Sequence, residues 1–297
     1  MIHKFKLGGF NALLDVNSGG VHIIDDLTYD LLDNVEPPFE EKCPEDVVRK
    51  LSKMYDSKDI EDCYEEIVSL YNDKILFSED DYEKYALSAV ASPIKAMCLH
   101  IAHDCNLRCK YCFASTGDFG QGRMLMDYET GKRAIDFLIE RSGDRKFLEV
   151  DFFGGEPLMN WDVVKQLVEY ARSVEKERGK NFRFTLTTNG MLIDDDVIDF
   201  ANREMSNVVL SIDGRKEVND RMRVRVDGSG SYDRIIPNFK KLVEKRPKNK
   251  DWYVRGTYTK YNLDFSNDVM HLYDLGFDQI SVEPVMADPS EPYAITE

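Results

Sequence analysis

Two rhythms of apolar and polar positions divide the chain near residue 85. Before that point the apolar runs are short. "NALLDVNSGGVHIID" holds two of them, 12–16 and 21–25, joined by Asn17-Ser18-Gly19-Gly20, whose glycines supply the positive φ of a tight hairpin. Helical spacing follows over about 27–34, 44–55 and 59–72. The last of these places Ile60, Cys63, Tyr64, Ile67, Val68 and Tyr71 on one face, which must be buried. A hairpin with three helices predicts a small winged-helix-like α+β domain over residues 1–77.

Residues 78–95 begin as a charge run, "SEDDYEKYALSAVASP", and pass into small residues ending at Pro93, the composition of a linker. Beyond it the rhythm changes to strands alternating with longer helices. Strands are expected at 96–101, 147–153, 182–188, 207–212, 252–259 and 279–285. Between them, stripes such as Val163, Val164, Leu167, Tyr170, Ala171 and Val174 mark helices, several of which stop at Gly143, Gly179 or Gly276. Six such repeats over 96–297 predict an α/β fold, a partial (β/α)6 TIM-like barrel, with ligands at the carboxyl ends of its strands.

Composition narrows the chemistry. In 297 residues, 42% apolar content suits a packed core, and a formal net charge of −16 disfavours a phosphate backbone, so no nucleic-acid partner is expected. No apolar run approaches the roughly 18–20 residues of a membrane span, and "MIHKFKLGGF" lacks the apolar centre of a secretory signal. A cytoplasmic location with no membrane partner is expected. Six cysteines are too sparse for a disulfide scaffold. Cys43, Cys63 and Cys98 stand alone and read as small apolar side chains.

The other three cluster in "AHDCNLRCKYCFAS", where Cys105, Cys109 and Cys112 follow the first barrel strand at a C-x3-C-x2-C spacing. Three thiolates can hold three irons of a [4Fe–4S] cube and leave the fourth open. A structural zinc wants four closed ligands, which would draw on His100 or His103. An electron-transfer cluster would need a distant fourth cysteine, for which Cys98 is the nearest. Both stand as alternatives to the open cube.

With a tyrosine before the third cysteine, "CNLRCKYC" resembles the signature of the radical S-adenosylmethionine (SAM) enzymes. The resemblance implies that SAM chelates the open iron through its amino and carboxylate groups, and that one electron from the cluster cleaves the sulfonium to a 5′-deoxyadenosyl radical. It also implies site residues. Gly154, Gly155, Glu156 and Pro157 match the family's GGEP motif, which holds the SAM amino group. Thr188 and Asn189 end the third strand at the barrel mouth, where a plain Asn-Gly turn is the alternative. Ser211 and Asp213 resemble the polar positions near the SAM ribose and carboxylate, and Arg223 resembles the arginine that pairs with that carboxylate, with Arg221 and Arg225 as close competitors. Tyr111 and Phe113 are implied to flank the adenine. Arg255, Thr257, Thr259 and Glu283, at later strand ends, are candidates either for facing the cavity or for packing. No catalytic residue is identified.

The N-terminal module resembles the PqqD-like precursor-peptide recognition domain, in which an exposed strand edge receives an extended leader peptide. Together, "LLDVNSGGVHIIDDLTYDLL" and "HIAHDCNLRCKYCFA" resemble the SPASM-group maturases of six-cysteine (SCIFF) peptides, over essentially the whole chain. The resemblance implies a cysteine-rich precursor peptide as partner, thioether links from cysteine sulfur to an α-carbon, and an electron donor such as a flavodoxin or ferredoxin. Members of that group carry auxiliary [4Fe–4S] clusters in a cysteine-rich C-terminal region. This sequence has no cysteine after Cys112 and stops twelve residues past the sixth strand, so that region is expected to be missing, and auxiliary clusters only where it is present. An anaerobic sulfatase-maturing enzyme, a carbon–carbon crosslinking maturase and a non-catalytic peptide-binding scaffold with a structural cluster are the alternatives.

Overall fold

The computed structural model describes residues 1–90 and 92–296. Ala91, inside the expected linker, and the terminal Glu297 lie outside the described residues, as do the side chains of residues 87–90. The chain divides into two compact units, Met1–Ser92 and Pro93–Glu297.

The first unit opens with an antiparallel meander, β1 (Ile2–Leu7), β2 (Phe10–Asp15) and β3 (Val21–Ile24). The expected hairpin is β2–β3; β1 is an addition to it. Lys4 stands on the covered face of β1, its ammonium 4.1 Å from the Tyr29 ring centroid, and this charge hides the strand's apolar alternation. Asp15 closes the β2–β3 turn, its buried carboxylate accepting from the backbone N–H of Asn17 at 3.2 Å and of Ser78 at 2.9 Å.

Helices α1 (Asp26–Leu31), α2 (Glu45–Leu51) and α3 (Ser57–Asn72) follow, α1 and α3 capped by the side chains of Asp25 and Asp56. Leu13 of the sheet packs with Leu31, Leu51, Ile60, Tyr64 and Ile67 in a single core. Each fully buried aliphatic side chain of this kind contributes about 1.5–3 kcal/mol. The segment expected as a linker contains a further helix, α4 (Glu83–Val90), built from good helix formers.

The second unit is one sheet wrapped by helices. Its strands are β4 (Ala96–His103), β5 (Met124–Leu125), β6 (Phe147–Gly154), β7 (Asn181–Thr188), β8 (Met205–Ser211), β9 (Asp251–Tyr258) and β10 (Ile280–Pro284). Its helices are α5 (Tyr128–Arg141), α6 (Trp161–Arg178), α7 (Asp195–Glu204), α8 (Lys216–Met222), α9 (Tyr232–Lys245) and α10 (Ser266–Asp274). The sheet order is β5-β4-β6-β7-β8-β9-β10, with β5 antiparallel and the rest parallel. Six parallel strands in chain order, with β10 and β4 not paired, make an open barrel, so the expected α/β partial barrel is borne out.

Strand pleating gives the two faces of this sheet different characters. Leu99, Val150, Phe152, Phe184, Leu210 and Val254 point outward and are buried beneath the helices. The alternate residues, among them Cys98, Asp151, Thr185, Asn207, Tyr253 and Arg255, line a polar hollow inside the barrel. No described helix is long and apolar enough to cross a membrane.

Candidate active site

The loop after β4 carries Cys105, Cys109 and Cys112 as free, half-buried thiols. Two backbone bonds fasten it to the end of α8 and the residues after it: Arg108 N–H donates to the Val224 carbonyl at 2.7 Å and Lys110 N–H to that of Met222 at 2.9 Å. Cys105 Sγ accepts from Leu107 N–H at 3.3 Å and from Asn189 Nδ2 at 3.6 Å. Burial pushes the Cys105 thiol up to about 12, with the Glu156 carboxylate adding to the rise. Burial likewise pushes Cys109 up to about 11, against the pull of the Arg223 guanidinium. Without a bound cation these thiols stay protonated; a metal would have to displace the protons.

Cys109 couples electrostatically to both Cys105 and Cys112, so the three share one region of the loop. Among the described residues no three His, Cys, Asp or Glu side chains converge as a single metal ion requires. A cube spreads its thiolates over separate irons, so its ligands need not meet at one point. Three cysteines on one loop, with N–H donors aimed at sulfur, fit a [4Fe–4S] cluster. His100 and His103 instead pack on the Phe119 ring, at 4.5 and 4.9 Å between centroids.

Gly154 and Gly155 turn the chain away from β6. A Cβ at Gly154 would fall 2.5 Å from the Ala102 carbonyl oxygen, and one at Gly155 would fall 2.2 Å from that of Asp104. The pair thus lets β6 meet the cluster loop backbone to backbone: Gly155 N–H donates to Ala102 at 2.8 Å and Glu156 N–H to Asp104 at 2.9 Å. The same two glycines, expected from the motif to hold the SAM amino group, bring β6 against the cysteine loop in the structure.

Glu156 is completely buried. Its carboxylate accepts from Leu158 N–H at 3.0 Å, the Thr188 hydroxyl at 2.8 Å and Asn189 N–H at 2.8 Å. Burial pushes its carboxyl up, opposed by those three donors. The side chain expected to hold an ammonium is therefore engaged in tying β6 to β7. Pro157 begins a buried 3-10 turn over Pro157–Asn160. The Thr188 hydroxyl also accepts from Gly190 N–H at 3.0 Å, and Asn189 Nδ2 donates to Asn106 Oδ1 at 2.8 Å, reaching back to the cluster loop. The bonds from Thr188 and Asn189 to Glu156, and from Asn189 to Asn106, are not visible in the sequence, because they join segments some 30 to 80 residues apart.

Past β8, Asp213 is buried with both carboxylate oxygens within 2.8 Å of the Tyr111 hydroxyl, and it accepts from Thr257 N–H at 3.1 Å. Arg223 donates to the Tyr111 oxygen at 2.9 Å and stands 3.8 Å from Asp213. The Arg223 Nε is buried and has no hydrogen-bond partner among the described residues, a donor that an anion would satisfy. Its competitors lie elsewhere. Arg221 covers the Tyr261 ring at 5.1 Å, and Arg225 pairs with Asp227 at 3.4 Å. Tyr111 is thus held by its hydroxyl, while Phe113 is 77% exposed, 6.2 Å from the Phe153 centroid.

A cavity of about 860 Å³ occupies the polar hollow at this end. Tyr111, Phe113, Ser211 and Arg223 reach its wall, as do Arg255, Thr257 and Glu283. Thr259 does not; it is buried and caps the 3-10 turn Lys260–Asn262. A second hollow of about 1040 Å³ shares Glu149, Thr185, Asn207 and Tyr253 with the first, so the polar face is continuous. Cys98, read from sequence as a small apolar residue, lies on the upper wall opposite Asp151, its register partner. Burial pushes the Asp151 carboxyl up to about 6, despite a bond from the Thr187 hydroxyl at 3.3 Å. Burial, followed by the charge of Asp151, pushes the Cys98 thiol up to about 11.

The sequence pattern of the Radical SAM superfamily matches residues 99–257, more than half of the chain. The chain belongs to the radical SAM superfamily, whose members use a [4Fe–4S] cluster and SAM. It is 25% identical over 274 residues to the radical SAM cyclopropyl synthase TigE of Paramaledivibacter caminithermalis, covering 86% of this chain and 54% of that one. To the cysteine-type anaerobic sulfatase-maturating enzyme of Clostridium novyi it is 28% identical over 203 residues, covering 65% and 52%. To protein MJ0907 of Methanocaldococcus jannaschii it is 27% identical over 191 residues, covering 64% and 62%. The chain spans little more than half the length of these relatives. Among solved structures, anSMEcpe with bound AdoMet and the Kp18Cys peptide superposes with a TM-score of 0.60 at 18% identity, covering 68% of this chain and 56% of that one, a likeness of fold.

Proposed function

We propose that this radical SAM enzyme modifies a cysteine-rich precursor peptide of the SCIFF type, joining cysteine sulfur to an α-carbon. The observation that carries the reading is in the first unit, which we take as a PqqD-like recognition domain over residues 1–77. One edge of β3 is unpaired, beside a groove of about 420 Å³ floored by Leu13, Ile24, Ile67 and Leu70. An extended leader can add to such an edge and bury apolar side chains against the helix. Asp25 and Glu66 on the groove wall form no ion pair among the described residues, which favours basic leader residues at its rim. Similarity to a sulfatase-maturating enzyme, and in fold to one solved with a peptide, supports a peptide substrate.

In this reading Cys105, Cys109 and Cys112 hold the cluster, and Arg223, through its free Nε, takes the SAM carboxylate. The backbone of Gly154 and Gly155 faces the SAM amino group, with Glu156, Pro157 and Thr188 fixing that backbone. Ser211 and the buried Asp213 stand near the SAM ribose and carboxylate, Asn189 at the barrel mouth, and Tyr111 and Phe113 flank the adenine. When bound, the reduced cluster supplies the electron that cleaves the SAM sulfonium, giving a carbon radical that removes a substrate hydrogen atom. The reducing electron comes from a flavodoxin or ferredoxin in the cytoplasm.

The test is incubation of anaerobic, reduced protein with SAM and cysteine-rich peptides, followed by mass measurement. The reading predicts loss of two hydrogens per link and one thiol per link blocked against alkylation. A second reading, sulfatase maturation, is favoured by the Clostridium novyi relative and predicts exchange of the cysteine sulfur for oxygen with no link. Release of 5′-deoxyadenosine with every peptide unchanged contradicts both.

A further inference from the structure

We infer that Asp151 is a catalytic residue, the group in the cavity of about 860 Å³ that accepts the proton of the substrate thiol; the assignment rests on the thioether reading. Three carboxylates reach the wall of that cavity. Glu149 pairs with Lys95 at 3.1 Å and Glu283 with Arg255, whereas Asp151 has no ion pair among the described residues. Its hydrogen bond from Thr187 is long at 3.3 Å. Cys98 faces it from β4, Thr185 and Thr187 from β7, and Glu149 and Phe153 flank it on its own strand. Arg223 and Arg255 line the same cavity, but they pair with Asp213 and Glu283, and neither forms an ion pair with Asp151 among the described residues.

A half-buried carboxylate without a counter-charge is costly in a fold, and its unused lone pairs open into space large enough for a substrate side chain. Two strands away, across Thr185, Asn207 Oδ1 is a buried acceptor with no donor among the described residues. The spare lone pairs of Asp151 and Asn207 suit a ligand that brings donors, as a thiol or a peptide N–H does. With its carboxyl near 6, Asp151 is ionised at neutral pH yet basic enough to share the proton of an approaching thiol. Cys98, pushed up to about 11, stays protonated and does not compete as nucleophile.

A hydrogen atom passes from the acceptor α-carbon to the adenosyl carbon, giving 5′-deoxyadenosine; the thiol S–H breaks and its proton goes to Asp151. The S–C bond forms, and the surplus electron leaves to a one-electron acceptor of the iron–sulfur class.

Two arms test the assignment on the full chain. In the first, with no cofactor or peptide, Cys98 alkylation at pH 8 is followed by peptide mass mapping. Asp151→Asn removes the facing charge and should speed that alkylation about threefold or more; an unchanged rate overturns the pairing. In the second, reduced holoprotein receives SAM and a cysteine-rich peptide. In Asp151→Asn the thioether formed per 5′-deoxyadenosine released should fall about 100-fold, and the rise of product with pH near 6 should vanish. A variant that crosslinks at the wild-type rate with the wild-type pH profile overturns the assignment. Wild-type protein that releases 5′-deoxyadenosine but never a thioether sinks the peptide reading and the thiol role with it, while the first arm still reports on the carboxylate itself.

Discussion

Glu156 and Asp151 are five residues apart at the end of β6, and their surroundings are opposite. Around Glu156 every lone pair in use has a protein donor, and the chain of bonds runs through Thr188 and Asn189 back to the cysteine loop. Around Asp151 the protein supplies one long bond and a cavity. The first region is finished without a ligand; the second is not. The difference separates residues that build the cluster loop's seat from those left free to meet what enters the barrel, although motif residues occur in both.

That contrast can be broken at several points. The largest effect is expected where the closed region delivers its product, the cysteine loop. Cys109→Ala should reduce bound iron to background and lower 5′-deoxyadenosine formation by about three orders of magnitude or more, read by iron and sulfide content alongside product release. Next comes Glu156→Ala, which leaves two buried N–H groups and a hydroxyl without an acceptor. It should cost about 3–5 kcal/mol in denaturant unfolding, and Glu156→Gln roughly half of that. A loss within error of zero for both would show that the closed cluster is not structural.

Gly155→Ala should cost about 1–3 kcal/mol and loosen cluster retention, because its Cβ would collide with the Asp104 carbonyl. In the open region the sign reverses. The Asp151 carboxyl rises from its ordinary value of 3.8 to about 6 in the fold, so the folded chain binds that proton more tightly than the unfolded one. Its contribution is full below pH 4 and is lost as pH rises from about 4 to about 6. Asp151→Asn should therefore match wild type at pH 4 and exceed it by about 1–2 kcal/mol at pH 8, after allowing for water in the cavity. The smallest effect is Thr187→Val, which removes the donor to Asp151 and should move that pH window upward.

What the sequence revealed depended on the distance over which each signal acts. The cysteine loop is eight residues long and needed no tertiary information, and the six barrel strands were marked by apolar runs. Even so, β1 was hidden by Lys4 on its covered face, and α4 by a flanking charge run. The roles of Glu156 and Asp151 depend on register between strands some 30 to 55 residues apart, which no local pattern contains. Arg223 was preferred to Arg221 and Arg225 by motif resemblance, whereas its place beside Tyr111 and Asp213 depends on contacts that no local pattern contains.

The most direct measurement uses reduced protein with its full complement of iron and sulfide, given SAM and no peptide, with 5′-deoxyadenosine and methionine quantified together. A cluster with one iron open to SAM predicts both products in equal amounts and a change in the cluster's electron paramagnetic resonance spectrum when SAM binds. Intact SAM and an unaltered spectrum, with the cluster fully assembled, would contradict the account.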